Sequence, residues 1–146
     1  TTGERYRVPA DRSYERQTNI WVQARGEVVR IGMDELGQEM NGDMAFLQLA
    51  TPGTVLARGG ELGSMEAGKY VGPILSPVSG TVRVVNRAVL DTPRLVNTDP
   101  LGAGWLVEME PAPGETLDPL LSDPDGIAEW FAARVREFRL KGVLAE

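Results

Sequence analysis

Closely spaced glycine and proline residues divide the sequence into short segments, and this spacing most limits how the chain can fold. The 146 residues include 17 glycines and 10 prolines. Between residues 19 and 110 these leave room only for short extended runs, because both residue types interrupt regular elements and favour turns. This part of the chain therefore predicts many short strands joined by tight turns, as in a mainly β domain.

Apolar and β-branched residues within these runs place the strands. They are predicted at residues 19–24, 27–31, 44–49, 55–56, 61–66, 70–75, 81–85 and 105–110. The first two runs predict a hairpin around Arg25 and Gly26. Pro73 has no N–H to donate to a sheet, so we expect its strand at a sheet edge, or Pro73 at a position that needs no hydrogen bond.

Two short helical stretches interrupt the strands, and a longer helix follows them. Asp34 is expected to begin a helix that Gly42 ends, and residues 88–96 contain a helical stretch interrupted by Pro93. In the tail, Asp123 is a good N-cap with Pro124 in the first turn. Helical spacing there predicts one apolar face that packs on the β core, formed by Ile127, Trp130, Phe131, Val135 and Phe138.

These elements predict one compact domain with additions at both ends. We expect an N-terminal extension at residues 1–18, a β domain at residues 19–111 and a C-terminal helical segment at residues 112–146. The sequence has no run of eighteen apolar residues, so no transmembrane helix is expected. The first sixteen residues are polar, unlike a secretory signal, and a cytoplasmic location is the expectation.

Several function classes are excluded because two residue types are missing. The sequence contains neither cysteine nor histidine. Disulfides, thiolate nucleophiles, zinc thiolate sites and Ser-His-Asp catalysis are therefore impossible, and no metal site is predicted. The formal net charge of −6 argues against a nucleic-acid partner, because such affinity comes largely from clustered lysine and arginine. It suits docking onto basic patches of partner proteins.

Residues 63–69 match the phosphate-binding pattern G-x-x-x-x-G-K, but the sequence around them does not support that function. The next position needs serine or threonine to hold Mg²⁺ and has Tyr70 instead. The pattern must also open a helix, and Gly72 followed by Pro73 would break one. A nucleotide site is therefore not favoured.

The same lysine is also predicted at the tip of a hairpin. Ala67 and Gly68 are small residues suited to a tight turn between two strands, and Lys69 would then project into solvent. An exposed lysine on a flexible four-carbon stem is accessible to an acylating enzyme. An ordinary solvated lysine on a turn is the alternative that the local pattern leaves open.

In addition to this lysine, a series of segments before and after it resembles, in the same order and register, the glycine cleavage H-protein family of lipoyl carriers. The resemblance covers residues 26–111. Its motifs are V-R-I-G-M at 29–33, Q-E-M-N-G-D-M-A-F at 38–46, P-G-T-V at 52–55, G-E-L at 60–62, S-P-V-S-G-T-V at 76–82, V-N-R-A-V-L at 85–90 and N-T-D-P-L-G-A-G-W-L at 97–106.

The resemblance implies a fold, a cofactor and an attachment site. The fold is a flattened lipoyl/biotinyl-type barrel-sandwich hybrid with short helices and a C-terminal helix. Six residues separate Lys69 from Ser76, as in the family, which makes Lys69 the lipoate attachment residue. Glu66 then matches the family's glutamate and is expected to help a ligase recognise the hairpin or to orient the arm, with Gly68 as hairpin context. An ordinary solvated carboxylate is the alternative for Glu66. A biotinyl carrier is disfavoured because methionines do not flank the lysine.

By resemblance, the protein is a carrier without catalytic residues of its own. It would shuttle an aminomethyl group from glycine between a decarboxylase, an aminomethyltransferase and dihydrolipoamide dehydrogenase. A lipoate ligase or lipoyltransferase would modify it, and neither nucleic acid nor membrane is an expected partner. Residues 70–75 depart from the family. The sequence G-K-Y-V-G-P at 68–73 resembles lipoate-binding proteins of heterodisulfide-reductase-like sulfur oxidation, so a carrier of sulfur intermediates is the alternative. A third hypothesis is an unmodified interaction module.

Overall fold

The structure is a computed structural model that describes residues 6–142 and residue 144. Residues 1–5 of the expected N-terminal extension lie outside the described residues, as do residues 143, 145 and 146 of the expected C-terminal segment. The described strands are β1 Ser13–Glu15, β2 Ile20–Arg25, β3 Val28–Met33, β4 Met44–Leu49, β5 Val55–Leu56, β6 Glu61–Ala67, β7 Val71–Leu75, β8 Gly80–Val85 and β9 Val107–Pro111. The described helices are α1 Glu35–Asn41, α2 Arg87–Asp91, α3 Leu95–Thr98 and α4 Pro124–Leu140.

Two antiparallel sheets enclose the main core. One sheet has the order β1-β2-β3-β9-β8-β5, and the other has the order β4-β6-β7. Alternate side chains of both sheets point inward, and the largest fully buried ones in this core include Ile31, Leu62, Leu106 and Met109. The mainly β class expected from the glycine and proline spacing is confirmed.

The strand β7 lies at the edge of the smaller sheet, as predicted from Pro73. Its neighbour is β6, and the pair runs in antiparallel register from Glu61 opposite Leu75 to Glu66 opposite Val71. A one-residue irregularity lies between Glu61 and Gly63. The three-stranded sheet therefore presents its outermost strand next to the predicted lysine hairpin.

A second apolar cluster, separate from the core between the sheets, lies under the C-terminal helix. Asp123 caps α4 by accepting a hydrogen bond from the Gly126 amide at 2.7 Å, which confirms the predicted helix start. The buried face of α4 packs against residues near the N-terminus and the outer part of β2 rather than between the sheets. This cluster contains Tyr6, Val8, Tyr14, Trp21, Leu36, Ile127, Phe131, Val135 and Leu144.

Three local features differ from the sequence-based expectations. The strand β1, not predicted, pairs with β2 and so joins the N-terminal segment to the larger sheet. Asn19 was placed on a strand but has a positive φ of 58° immediately before β2. Trp105 was also placed on a strand, but β9 begins two residues later, and the Arg30 guanidinium stacks over the Trp105 ring at 4.3 Å. Interactions distant in sequence determine each of these positions.

No helix in the described part of the chain combines the length and the apolar character that crossing a bilayer requires.

Candidate functional site

The predicted lysine hairpin is present, with Lys69 in the turn between β6 and β7. The turn comprises residues 68–70, and the Ala67 amide closes it by donating a 2.9 Å hydrogen bond to the Tyr70 carbonyl. Gly68, Lys69 and Tyr70 are all exposed. Residues 63–67, which matched a phosphate-binding loop, lie instead in the strand β6. The structure therefore agrees with the hairpin and not with a loop that opens a helix.

The backbone of this turn is attached to the connection between α1 and β4. The Gly68 amide donates to the Asp43 carbonyl at 3.0 Å, and the Lys69 amide donates to the Asn41 carbonyl at 2.8 Å. Residues 41–43 form this supporting connection, called here the support loop. Two hydrogen bonds, from the Gly68 and Lys69 amides, thus fix the main chain of the turn, while Lys69 stays exposed.

Close approach between Gly42 and Lys69 explains why the support loop contains glycine. Gly42 has a φ of 88°, a conformation that other residues rarely adopt. A Cβ at this position would lie 2.9 Å from the Lys69 nitrogen and 3.1 Å from the Lys69 Cγ. At Gly68, by contrast, an added Cβ would meet the nearest atom, the Asp43 nitrogen, at 3.6 Å. The tighter constraint is therefore on Gly42, which the sequence signalled only as a helix end.

The beginning of α1 is fixed by a buried carboxyl group. Asp34 accepts hydrogen bonds from the Gly37 amide at 2.7 Å and from the Asn19 side-chain amide at 2.9 Å. Burial raises the pKa of Asp34 to about 7, although these two hydrogen bonds and the charge of Arg134 favour its ionised form. The Arg134 guanidinium also donates to the Asn19 side-chain oxygen at 2.8 Å. This network links α4 to the helix that leads into the support loop.

An open polar cleft of about 520 Å³ surrounds the hairpin tip. Its lining residues include Gln38, Glu39, Asp43, Lys69, Arg94 and Asn97. Within it Arg94 lies 3.7 Å from Asp43, and both side chains are more than half exposed. Such an exposed ion pair contributes little stability. The cleft thus leaves polar groups of both charges accessible near Lys69.

Glu66 lies on the outer face of the small sheet, in a row of exposed side chains. Its direct cross-strand neighbours are Phe46 on β4 and Val71 on β7. The exposed fractions are 52% for Phe46 and 72% for Val71, high values for large apolar side chains. Residues directly opposite in antiparallel strands share one face. Glu66 is therefore a carboxylate between two exposed apolar side chains, three residues before Lys69.

The residues that depart from the family pattern after Lys69 form one local unit. The Tyr70 hydroxyl donates to the Pro73 carbonyl at 3.0 Å. The same ring lies against Gly72, where an added Cβ would be 2.7 Å from the hydroxyl oxygen. Gly72 is therefore required for the position of the Tyr70 ring on β7.

An apolar pocket of about 270 Å³ adjoins the hairpin at Tyr70. Apolar residues form most of its lining, including Ile20, Met33, Met40, Met65, Tyr70 and Ile74. Three of these are methionines, whose unbranched side chains adapt to irregular shapes. Lys69 thus lines the polar cleft, and its neighbour Tyr70 lines the apolar pocket.

Comparisons with known proteins agree with one another on a single family. The family model described as "Glycine cleavage H-protein" matches residues 12–131. The chain is 41% identical over 115 residues to a protein of Natronomonas pharaonis named "Probable glycine cleavage system H protein", covering 79% of this chain and 90% of that one. It is 37% identical over 114 residues to the "Glycine cleavage system H protein" of Myxococcus xanthus, covering 78% and 88%.

A solved structure is similar over nearly its whole length. It is the crystal structure of a glycine cleavage system H protein from Mycobacterium marinum. The TM-score is 0.73 at 34% sequence identity, and the similarity covers 84% of this chain and 97% of that one. The region matched by the family model, residues 12–131, includes both sheets and the lysine hairpin.

Proposed function

Because this chain belongs to the glycine cleavage H-protein family, we propose that Lys69 is the residue on which it carries lipoate. Members of the family are lipoyl carriers, and this protein is one of them. Its fold is the lipoyl-type barrel-sandwich with short helices and a C-terminal helix. The single observation that supports Lys69 is its position at an exposed hairpin tip whose backbone is held by the support loop.

The other lysine of the chain is poorly suited to be an attachment site. The sequence contains two lysines, Lys69 and Lys141. The Lys141 ammonium lies 3.0 Å from the Glu137 carboxylate and 5.3 Å from the centre of the Phe138 ring, at the end of α4. Lys69 is instead in a turn that a modifying enzyme can approach from outside both sheets.

The surroundings of Lys69 fit a long apolar acyl group that ends in sulfur. When bound, lipoate supplies a disulfide–dithiol pair that accepts and releases a transferred group. The chain's own residues position the attachment point. The support loop fixes the backbone at Lys69, and the apolar pocket lined by Met33, Met40 and Met65 presents a surface of the same character as the hydrocarbon part of the group.

Glu66 and Gly68 have supporting roles in this proposal. Glu66 presents its carboxylate three residues before Lys69, between the exposed Phe46 and Val71 side chains, where a lipoate ligase or lipoyltransferase would contact the hairpin. Gly68 keeps the turn small beside Asp43. The chain contains no cysteine or histidine, so acyl attachment and turnover depend on partner enzymes.

The family implies enzymes of glycine cleavage as partners. The load proposed here is the aminomethyl group of glycine, received from a decarboxylase and delivered to an aminomethyltransferase. Dihydrolipoamide dehydrogenase would reoxidise the carrier. The alternative load is a sulfur intermediate, and it rests on the resemblance of the sequence beside Lys69 to lipoate-binding proteins of sulfur oxidation.

Intact-mass measurement with peptide mapping tests the attachment site. The protein is treated with lipoate ligase, lipoic acid and ATP, and compared with Lys69→Arg and Lys141→Arg. We expect one lipoyl group on the wild type and on Lys141→Arg, and none on Lys69→Arg. A lipoyl group on Lys69→Arg, or none on the wild type, would contradict the proposal.

The load is tested next with the lipoylated protein. Glycine decarboxylase and isotopically labelled bicarbonate are added, and exchange of the label into glycine is measured. Exchange that depends on lipoylated Lys69 supports the aminomethyl load. Failure to exchange, with activity in a sulfur-oxidising heterodisulfide-reductase-like assay, would support the alternative.

A further inference from the structure

Asn97 on α3 contacts the support loop and lines the same polar cleft as Lys69. Its side-chain amide donates to the Gly42 carbonyl at 3.0 Å and to the Gln38 side-chain oxygen at 2.9 Å. Its side-chain oxygen accepts a hydrogen bond from the Met44 amide at 2.8 Å. One side chain thus bridges the end of α1, the support loop and the start of β4.

The orientation of the Asn97 amide is determined by its backbone partners. The Gly42 carbonyl can only accept, and the Met44 amide can only donate. The side-chain nitrogen must therefore face Gly42 and the oxygen must face Met44. A carboxylate, a hydroxyl or an alkyl group could not make the same set of bonds.

The support loop, whose position Asn97 fixes, is itself hydrogen-bonded to the lysine hairpin. The carbonyls of Asn41 and Asp43 flank Gly42, and they accept the hydrogen bonds of the Lys69 and Gly68 amides. Any shift of the Gly42 carbonyl would move both neighbouring peptide groups. Asn97 is thus linked to Lys69 by two hydrogen bonds, one to the Gly42 carbonyl and one from the Lys69 amide to the Asn41 carbonyl. Asn41 and Gly42 are adjacent in the chain.

We infer that Asn97 is a positioning residue, which holds the support loop so that the Lys69 turn keeps the backbone conformation that an acylating enzyme recognises. The inference rests on the proposed attachment at Lys69. Asn97 acts through the support loop and not by touching the transferred group. Without the Asn97 amide, the turn would populate other conformations. The apparent affinity of the enzyme would then fall in proportion to the fraction of molecules that keep the recognised conformation.

The variant Asn97→Asp tests this with little change in shape. It keeps the oxygen that accepts from Met44 but turns a carboxylate oxygen toward the Gly42 carbonyl, which repels it. Asn86→Asp is a matched control. Asn86 also donates twice, to the Ala103 and Trp105 carbonyls, and accepts from the Ala88 amide, but it makes these contacts away from the hairpin.

The first measurement is amide hydrogen exchange in the unmodified proteins, followed by NMR. We expect exchange at the Gly68 and Lys69 amides to accelerate about tenfold or more in Asn97→Asp, as the loss of one or two hydrogen bonds predicts. Exchange of the Met65 and Ile74 amides in the strands should change much less. In Asn86→Asp, exchange at the Gly68 and Lys69 amides should not accelerate relative to exchange at the Met65 and Ile74 amides.

The second measurement is the kinetics of lipoylation by a lipoate ligase. We expect the KM for Asn97→Asp to rise about tenfold with kcat nearly unchanged, because a misplaced turn lowers the competent fraction. Asn86→Asp should show wild-type KM well below its melting temperature. Should Asn97→Asp fail to fold, Asn97→Ser removes the amide without adding charge and is measured in the same way.

The outcomes separate this inference from the proposed function. Uniform acceleration of exchange across the strands, or a wild-type KM in the Asn97 variant that folds, would overturn the positioning role. If wild-type Lys69 accepts no lipoyl group, the proposed attachment fails, and the exchange experiment still shows whether Asn97 holds the turn.

Discussion

Gly42 and Lys69 are in van der Waals contact although 26 residues separate them in the chain. No side chain beyond hydrogen fits between the two backbones, since an added Cβ would lie 2.9 Å from the Lys69 nitrogen. This close approach places the support loop directly against the lysine that we propose for lipoate attachment. Its consequence for the turn can be measured by substitution.

We expect Gly42→Ala to destabilise the protein and to slow lipoylation. With φ 88° and ψ −170°, Gly42 lies in a backbone region essentially restricted to glycine, which costs other residues about 1–3 kcal/mol. The new methyl group would also push the Lys69 turn outward. Gly53→Ala is the matched control, because Gly53 has a φ of 94° but open space around the added Cβ. Equal lipoylation rates in the two variants would show that the contact has no effect on the turn. Thermal melting and ligase kinetics supply both measurements.

Asp34 is expected to make stability depend on pH. Its pKa is about 7 in the folded protein against an ordinary value of 3.8, because burial disfavours the charge. The folded state therefore binds this proton more tightly than the unfolded state. The resulting stabilisation is complete below the unfolded pKa and is lost as the pH rises through the folded pKa.

The comparison of wild type with Asp34→Asn isolates this group. Asparagine can still cap α1 but does not titrate. Urea unfolding at several pH values between about 4 and 8 should show the wild type losing stability relative to the variant as the pH rises. Parallel curves for the two proteins would mean that Asp34 does not titrate in this range.

Truncation of Phe131 tests the packing of α4. This side chain is fully buried among Tyr6, Trp21 and other residues of the second apolar cluster. We expect Phe131→Ala to lower the free energy of unfolding by about 3–5 kcal/mol. Leu140→Ala, near the end of the same helix and 88% exposed, should change it by less than about 0.5 kcal/mol. Denaturant titrations of both variants would reveal whether the helix is an integral part of the fold.

Substitution of Gly72 should move the Tyr70 ring without disrupting the sheet. A methyl group at Gly72 would meet the Tyr70 hydroxyl at 2.7 Å, and a flexible ring can move away. We expect Gly72→Ala to break the hydrogen bond to Pro73 and to cost less than about 1 kcal/mol. Tyr70→Phe removes the hydroxyl with no added methyl group, and is the control. NMR signals of the Tyr70 ring that are unchanged in Gly72→Ala would contradict the expectation.

The features predicted correctly from the sequence are those with local chemical signatures. Asp34 and Asp123 cap helices where a short acceptor precedes a helical pattern. The hairpin around Lys69 follows from small turn residues between extended runs, and Pro73 indicated the edge strand. In each case the residues responsible are neighbours in the chain.

The features that were missed depend on contacts distant in sequence. β1 is short and polar, and it forms because it pairs with β2 and because Tyr14 is buried under α4. The bond from Asn97 to Gly42 spans 55 positions, and no local pattern distinguishes this asparagine from a surface one. The apolar face of α4 was predicted to pack on the β core, and it packs on Tyr14 and Trp21 of the larger sheet together with Tyr6 from the N-terminal segment, a partner that no local pattern indicates.

The unit of Tyr70 and Pro73 has a consequence for how the protein behaves at high concentration. An exposed edge strand normally offers N–H and C=O groups to which a second copy can add. On β7, Pro73 has no N–H, and its carbonyl already accepts from the Tyr70 hydroxyl. At this position neither group is available to an incoming strand. At Pro73 the edge of the small sheet therefore disfavours addition of a second strand beside the lysine hairpin.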